Sequence, residues 1–188
     1  PLIYDCGANI GTSILFFKSI YPNSKIKAFE ADEKIFDILK QNTSGLTNLD
    51  LFHNAVWINN EELSFNSEGA DGGSLVNEFD VKQTVKAVRL KELLKQEASI
   101  DFLKIDIEGA ETEVILDCKD ELKKVKNLFV EYHSIIGKPQ ELGKILSAMT
   151  DAGFRYHIET LSHQSEPFLS INEWTNMDLQ VNVFGYRK

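Results

Sequence analysis

The chain has 188 residues, 43% of them hydrophobic and 26% charged, with 20 basic against 29 acidic side chains for a net charge of −9. That length accommodates one domain with a full core and is short for two, and the apolar fraction excludes wholesale disorder. The acidic balance argues against a protein that grips nucleic-acid phosphates or anionic lipid, and no apolar run approaches the roughly 18 residues of a membrane-inserted helix.

Strand-like and helix-like segments alternate along the chain, the pattern of a mostly parallel sheet with helices on its faces. Leu2–Asp5 reads as a short buried strand. Ile10, Ile14, Phe17 and Tyr21 then recur at helical spacing and predict a helix over about 10–21. Pro22-Asn23-Ser24 ends it, and Ile26–Glu30 is a second strand. Asp32 caps a helix carrying Ile35, Ile38 and Leu39, and Leu49–Val56 is a third strand. Glu62–Asn66 and Thr84–Leu90 alternate like strands around the glycine-bearing loop Ser67–Ser74, and Leu90–Gln96 reads as a short helix. Ile100–Ile107 is the clearest strand, followed by a helix over Glu111–Leu122 and a strand over Asn127–Tyr132. Pro139 precedes a helix with the stripe Leu142, Ile145, Leu146 and Met149, ended by Gly153. Phe154–Leu161 and Leu179–Tyr186 follow with no convincing helix between them, so they are expected to pair antiparallel.

No repeat, low-complexity tract or linker divides residues 1–188, which are read as one domain. The sequence opens at Pro1 without Met and inside an apolar run, as a piece of something longer would. Cys6 and Cys118 stand far apart, so buried reduced thiols in a reducing compartment, the cytoplasm, are expected. His53, His133, His157 and His163 show no metal-ligand spacing, so no structural zinc site is expected. Lys119–Lys126 reads as a solvated face, and Phe16, Phe17, Phe29 and Phe36 as core. Trp174 lies in the 161–179 connection, a segment expected to shape a pocket.

The first strand runs into Asp5-Cys6-Gly7-Ala8-Asn9-Ile10-Gly11 and then into a helix. A glycine turn in that position lets the backbone approach a nucleotide-like cofactor closely. The second strand ends in Glu30, 25 residues after Asp5, where an acid can take both hydroxyls of a ribose. The dinucleotide pattern of three glycines fails, because counting from Gly7 the other two fall on Asn9 and Thr12. A carboxylate at the mouth of the turn, Asp5, repels a pyrophosphate and attracts an ammonium or sulfonium. S-adenosylmethionine carries both cations and a ribose, and no phosphate. Asp5, Glu30, Asp106 and Glu108 all fall at carboxyl ends of predicted strands and are expected to converge on one cleft suited to such a cofactor.

These residues, with Phe29-Glu30 and the segment Asp101-Phe102-Leu103-Lys104-Ile105-Asp106-Ile107-Glu108-Gly109-Ala110-Glu111, resemble the FkbM family of S-adenosylmethionine-dependent methyltransferases. The resemblance runs nearly the whole chain, to Val183-Phe184-Gly185-Tyr186. The glycine turn is shared by many methyltransferases, while Lys104–Glu111 is more specific. The resemblance implies an α/β class I methyltransferase (Rossmann-like) three-layer sandwich. Its sheet is seven-stranded and mostly parallel, with the last strand antiparallel. It implies O-methylation of a hydroxyl on a sugar, a glycan or a small natural product. By position, Asp5, Gly7, Ala8, Asn9 and Gly11 would meet the methionine part of the cofactor. Glu30 and Ala31 would meet the ribose, Asn54, Ala55 and Val56 the adenine, and Asp106 the reacting centre. The Gly72-Gly73-Ser74 loop would approach cofactor or acceptor. Two departures are visible: Ala31 stands where a proline is common, and the family's helical segment ahead of the first strand is lacking.

The alternation of the Ile100–Ile107 strand, continued to Glu108, sets Lys104, Asp106 and Glu108 on one face. Lys104 is read as the partner of a neighbouring carboxylate, and Asp106 and Glu108 as functional. Glu111 sits where a helix N-terminus favours an acid. A sulfonium leaves as a neutral group, so the catalytic need is a base for the acceptor hydroxyl. His133 is the only histidine expected at the cleft, with an ordinary pKa suited to that task; Glu108 and Glu131 compete for it. In some sugar methyltransferases a divalent cation orients two hydroxyls, and Asp106, Glu108 and Glu131 are the residues here that would hold one. Three other readings stand beside this one. A nicotinamide-dependent oxidoreductase or epimerase needs the glycine pattern that is missing. An RNA methyltransferase needs a basic surface, and an amino-group methyltransferase an N-P-P-Y-type motif where Asp106-Ile107-Glu108-Gly109 stands. A methyltransferase-like domain with a purely binding role does not account for the acids at the cofactor positions.

Overall fold

A computed structural model describes residues 1–66, 82–161, 166, 168–169 and 176–187. The chain runs β1 (Leu2–Cys6), α1 (Thr12–Ile20), β2 (Lys25–Glu30), α2 (Glu33–Asn42), β3 (Leu49–His53), β4 (Ala55–Trp57), β5 (Glu62–Asn66), β6 (Lys82–Arg89), α3 (Leu90–Lys95), β7 (Ile100–Ile105), α4 (Glu111–Cys118), a 3-10 turn (Glu121–Lys124), β8 (Val125–Ile135), α5 (Leu142–Asp151), β9 (Arg155–Thr160) and β10 (Met177–Tyr186).

Seven strands form one sheet in the order β3-β2-β1-β7-β8-β10-β9. Neighbours from β3 to β8 are parallel, whereas β10 runs antiparallel to both β8 and β9. The expected antiparallel pairing of the last two strands is present, with β10 inserted between β8 and β9. The chain order reverses between β1 and β7, and the crevice at such a switch point is where open α/β sheets bind ligands. One face of the sheet packs Ile3, Ile26 and Ala28 against Ile14 of α1 and Leu39 of α2. The opposite face packs Tyr4, Leu103, Ile105, Leu128 and Val130 against α3, α4 and α5 through Leu94, Val114, Ile115, Ile145 and Met149.

The described structure moves several predicted boundaries. The third strand breaks at Asn54, and its second half, β4, leaves for a separate three-stranded sheet ordered β4-β6-β5. The strand expected over Ile100–Ile107, β7, stops at Ile105, two residues early, because Glu108 and Gly109 take left-handed conformations (φ 56° and 96°). The helix expected to reach Leu122 ends at Cys118, and the strand expected to end at Tyr132 continues to Ile135. Phe16 is 60% exposed on α1, since Ile14 and Phe17 supply the face that α1 turns to the sheet. Asp32 caps α2 as expected, accepting from the amides of Lys34 and Ile35. Both cysteines are buried free thiols. The Gly72-Gly73-Ser74 loop, His163 and Trp174 lie outside the described residues. Among the described residues no helix is long and apolar enough to cross a membrane.

Candidate active site

The turn after β1 is built on backbone contacts. Gly7, Asn9 and Gly11 all have positive φ (83°, 49° and 94°). The amides of Gly7 and Ala8 both donate to the carbonyl of Phe29, tying the turn to β2. A Cβ on Gly7 would stand 1.7 Å from the carbonyl oxygen of Asp106, so only glycine allows the turn to press against the end of β7.

Glu30 ends β2 facing this turn. One carboxylate oxygen accepts the amide of Asn9 and the other the amide of Asp32, each at 2.8 Å. Burial pushes its pKa up, against the pull of these amides. Each oxygen has a second lone pair with which to accept a ribose hydroxyl. Beside it, the carbonyl of Ala31 bonds Nε2 of His53, and the Asn54 amide donates to the carbonyl of Lys86. Ala55 and Val56 are buried, so an adenine there would meet Asn54 and backbone rather than those two side chains.

Asp5 lies beneath the turn, not at its mouth. The alternation of β1 sends its side chain, which is fully buried, toward α1, where Ser13 Oγ donates to Oδ2. Lys104 is the partner the sequence assigned it to be: its ammonium bonds Asp106 at 3.0 Å and lies 3.5 Å from Asp5.

The carboxylate-rich end of the cleft centres on His133, which β8 carries two residues beyond Glu131, on the same face. Its Nε2 stands 3.5 Å from Glu108, 3.7 Å from Glu131 and 4.0 Å from Asp106. The left-handed turn at Glu108 and Gly109 brings Glu108 into this group even though its strand has ended. Burial opposes the charge on His133, but Glu111, Glu131 and Glu108 outweigh it and push the pKa up to about 11. The expectation that His133 titrates at its ordinary value is therefore corrected: at neutral pH it stands as an imidazolium. Burial and the neighbouring carboxylates, offset in part by His133, push Glu108 up to about 7. Burial likewise raises Asp106, whereas the bond to His133 lowers Glu131.

Two contributors were not identified as site residues from the sequence. Glu111 accepts from the amides of Ile107 and Gly109 and bonds Nδ1 of His133. Gln180 of β10 donates to Glu131 at 2.6 Å. The period-2 register of β10 against β8, which sets Gln180 opposite His133, was the signal available for it.

The family model described as the methyltransferase FkbM domain matches residues 5–156. The curated 2-O-methyltransferase NoeI of Sinorhizobium fredii is 27% identical over 153 residues, covering 70% of this chain and 63% of NoeI. The chain thus spans less than two thirds of that relative. Methyltransferase sdnD of Sordaria araneosa is 29% identical over 194 residues, covering 82% of this chain and 73% of sdnD. Among solved structures, Aeropyrum pernix fibrillarin with bound S-adenosyl-L-methionine superposes with a TM-score of 0.54 at 11% identity, covering 98% of this chain and 65% of that one. At that identity the likeness is one of fold.

Proposed function

Since the chain belongs to the FkbM methyltransferase family, we propose that it is an S-adenosylmethionine-dependent O-methyltransferase acting on a hydroxyl of a sugar, a glycan or a small natural product. The observation that carries this reading is the gathering of Asp106, Glu108 and Glu131 about His133 Nε2, beside the 7–11 turn. The name of NoeI supports oxygen as the methylated atom. The net charge of −9 supports a small or glycan acceptor over a nucleic acid. Two free buried thiols support a cytoplasmic site of action.

The residues fit the cofactor. Among the described residues the cleft is lined by carboxylates, and Lys104 is engaged by Asp5, Asp106 and the Gly7 carbonyl rather than poised for a pyrophosphate. Gly7, Ala8, Asn9 and Gly11 would seat the methionine part, with the buried Asp5 supporting the turn from beneath, Glu30 and Ala31 would seat the ribose, and Asn54, Ala55 and Val56 the adenine edge. When bound, the cofactor supplies a methyl group on a sulfonium whose departure leaves a neutral thioether. Glu108 takes the acceptor proton, since its pKa of about 7 divides it between acid and base at neutral pH. His133, held cationic by Glu111, stabilises the oxygen as that proton leaves. Asp106 orients the acceptor at the end of β7. Incubation with methyl-labelled cofactor and a panel of glycans and hydroxylated natural products tests the reading. It predicts label in an ether linkage on an oxygen; label on nitrogen or carbon contradicts it.

A second reading is favoured by one observation. One donor atom each from Asp106, Glu108 and His133 lie within 4.8 Å of one another, a ligand set for a divalent cation that could orient two acceptor oxygens. Glu131, named for this role from the sequence, is not in that group. Glu111 behind His133 is the carboxylate that such a histidine ligand needs. Calorimetric titration of chelator-treated protein with Mn²⁺ decides it: a binding heat lost in Glu108→Gln supports the cation, and no heat excludes it.

A further inference from the structure

Lys104 stands directly opposite Asp5 in the β1–β7 register. Its Nζ donates to the Gly7 carbonyl at 2.8 Å and to Asp106 Oδ2 at 3.0 Å, and lies 3.5 Å from Asp5 Oδ1. That Asp5 oxygen is buried and has no hydrogen bond, so the ammonium is its compensation. One side chain therefore joins β1, the glycine turn and the end of β7. Burial opposes its charge, yet Asp5 and Asp106 hold it protonated well above the ordinary lysine range. The site thus has a fixed, partly buried cation beside the turn, where charges are screened less than in open solvent.

We propose that Lys104 is a positioning residue that sets the preference of the cofactor site between the cationic donor and its neutral product. The proposal rests on the reading that the methionine part lies against the 7–11 turn. Carboxylates draw the sulfonium in, and Lys104 limits how tightly they hold it. A site built only of acids would bind the charged ground state most strongly and lose that stabilisation as charge leaves the sulfur. With Lys104 in place, the repulsion between two cations is relieved as the sulfur becomes neutral.

The test is calorimetric binding of S-adenosylmethionine and S-adenosylhomocysteine to the wild type, Lys104→Met, Lys104→Arg, Asp5→Asn and the Lys104→Met/Asp5→Asn pair. Removing the ammonium should shift the ratio of the two dissociation constants toward the sulfonium by about fivefold or more. Lys104→Arg should leave the ratio within about twofold, and Asp5→Asn should move it the other way. Should Lys104→Met fail to fold, the charge-balanced pair compared with Asp5→Asn alone must show the same fivefold shift. If loss of Lys104 weakens both ligands by the same factor, its role is structural only and the proposal falls. A wild type that binds neither ligand overturns the cofactor reading, and this proposal with it.

Discussion

Nδ1 of His133 lies 3.0 Å from Oε1 of Glu111, and each side chain is only 1% exposed. The same Glu111 oxygen accepts the amides of Ile107 and Gly109, which flank Glu108. A single carboxylate at the start of α4 therefore fixes both the imidazole and the loop that aims Glu108 at it. In the proposed mechanism this contact divides the roles, because a histidine so held keeps its proton and leaves Glu108 to exchange one.

Replacing Glu111 with Gln removes the nearest counter-charge of the buried His133 and should cost up to about 3–5 kcal/mol, the range for breaking a buried pair, with Glu108 and Glu131 still facing the ring. For a chain of this size each kcal/mol lowers the melting temperature by about 2–4 °C. The pH dependence carries a sign. His133 has a folded-state pKa of about 11 against an ordinary 6.5, so its contribution to stability is full below about 6.5 and is lost as pH rises toward about 11. Denaturant unfolding across that window should show this loss in the wild type and a flatter profile in Glu111→Gln.

Glu108 acts as a base only when ionised. With its pKa raised to about 7, kcat/KM should rise with pH through neutrality and level off above it. Glu108→Gln should abolish that limb and lower the rate by about 10²- to 10⁴-fold with little change in cofactor affinity. A limb that persists in Glu108→Gln would assign the base elsewhere.

Glu30→Ala removes the acceptor of the Asn9 and Asp32 amides together with the ribose acceptor. The dissociation constant for S-adenosylhomocysteine should rise by about tenfold or more. Calorimetry reads this directly, and Glu33→Ala, on the exposed first turn of α2, serves as the control.

Gly7→Ala forces a Cβ into the Asp106 carbonyl at a φ of 83°. The turn must move, at a cost of about 2–4 kcal/mol, and thermal melting should show the loss alongside loss of cofactor binding. Gly143→Ala, whose added Cβ meets nothing within 4 Å, should leave both unchanged.

The sheet, the glycine turn and Glu30 were legible in the sequence because each rests on local rules: alternation, helical period and a turn that needs glycine. The cluster around His133 was only partly legible. Alternation set Lys104, Asp106 and Glu108 on one strand face, but the strand ends at Ile105, and it is the left-handed pair Glu108 and Gly109 that returns Glu108 to the cleft. His133 was found, and its protonation state was not, because that depends on Glu111, Glu131 and Glu108 arriving from separate elements. Asp5 shows the same limit. Its place in the motif was evident, while its burial under Ser13 and Lys104 is a tertiary fact. The break at Asn54 has no glycine or proline to announce it, and only the second sheet explains why the chain turns there.

The central claim is that this cleft binds a cationic, phosphate-free methyl donor and its product. A thermal-shift series with S-adenosylmethionine, S-adenosylhomocysteine, NAD and no ligand tests it most directly. At about 100 times its dissociation constant a ligand adds about 2.7 kcal/mol, or roughly 5–10 °C here. Both methyl-cofactor forms should give such a shift and NAD should give none. A shift with NAD alone, or with none of the three, would contradict it.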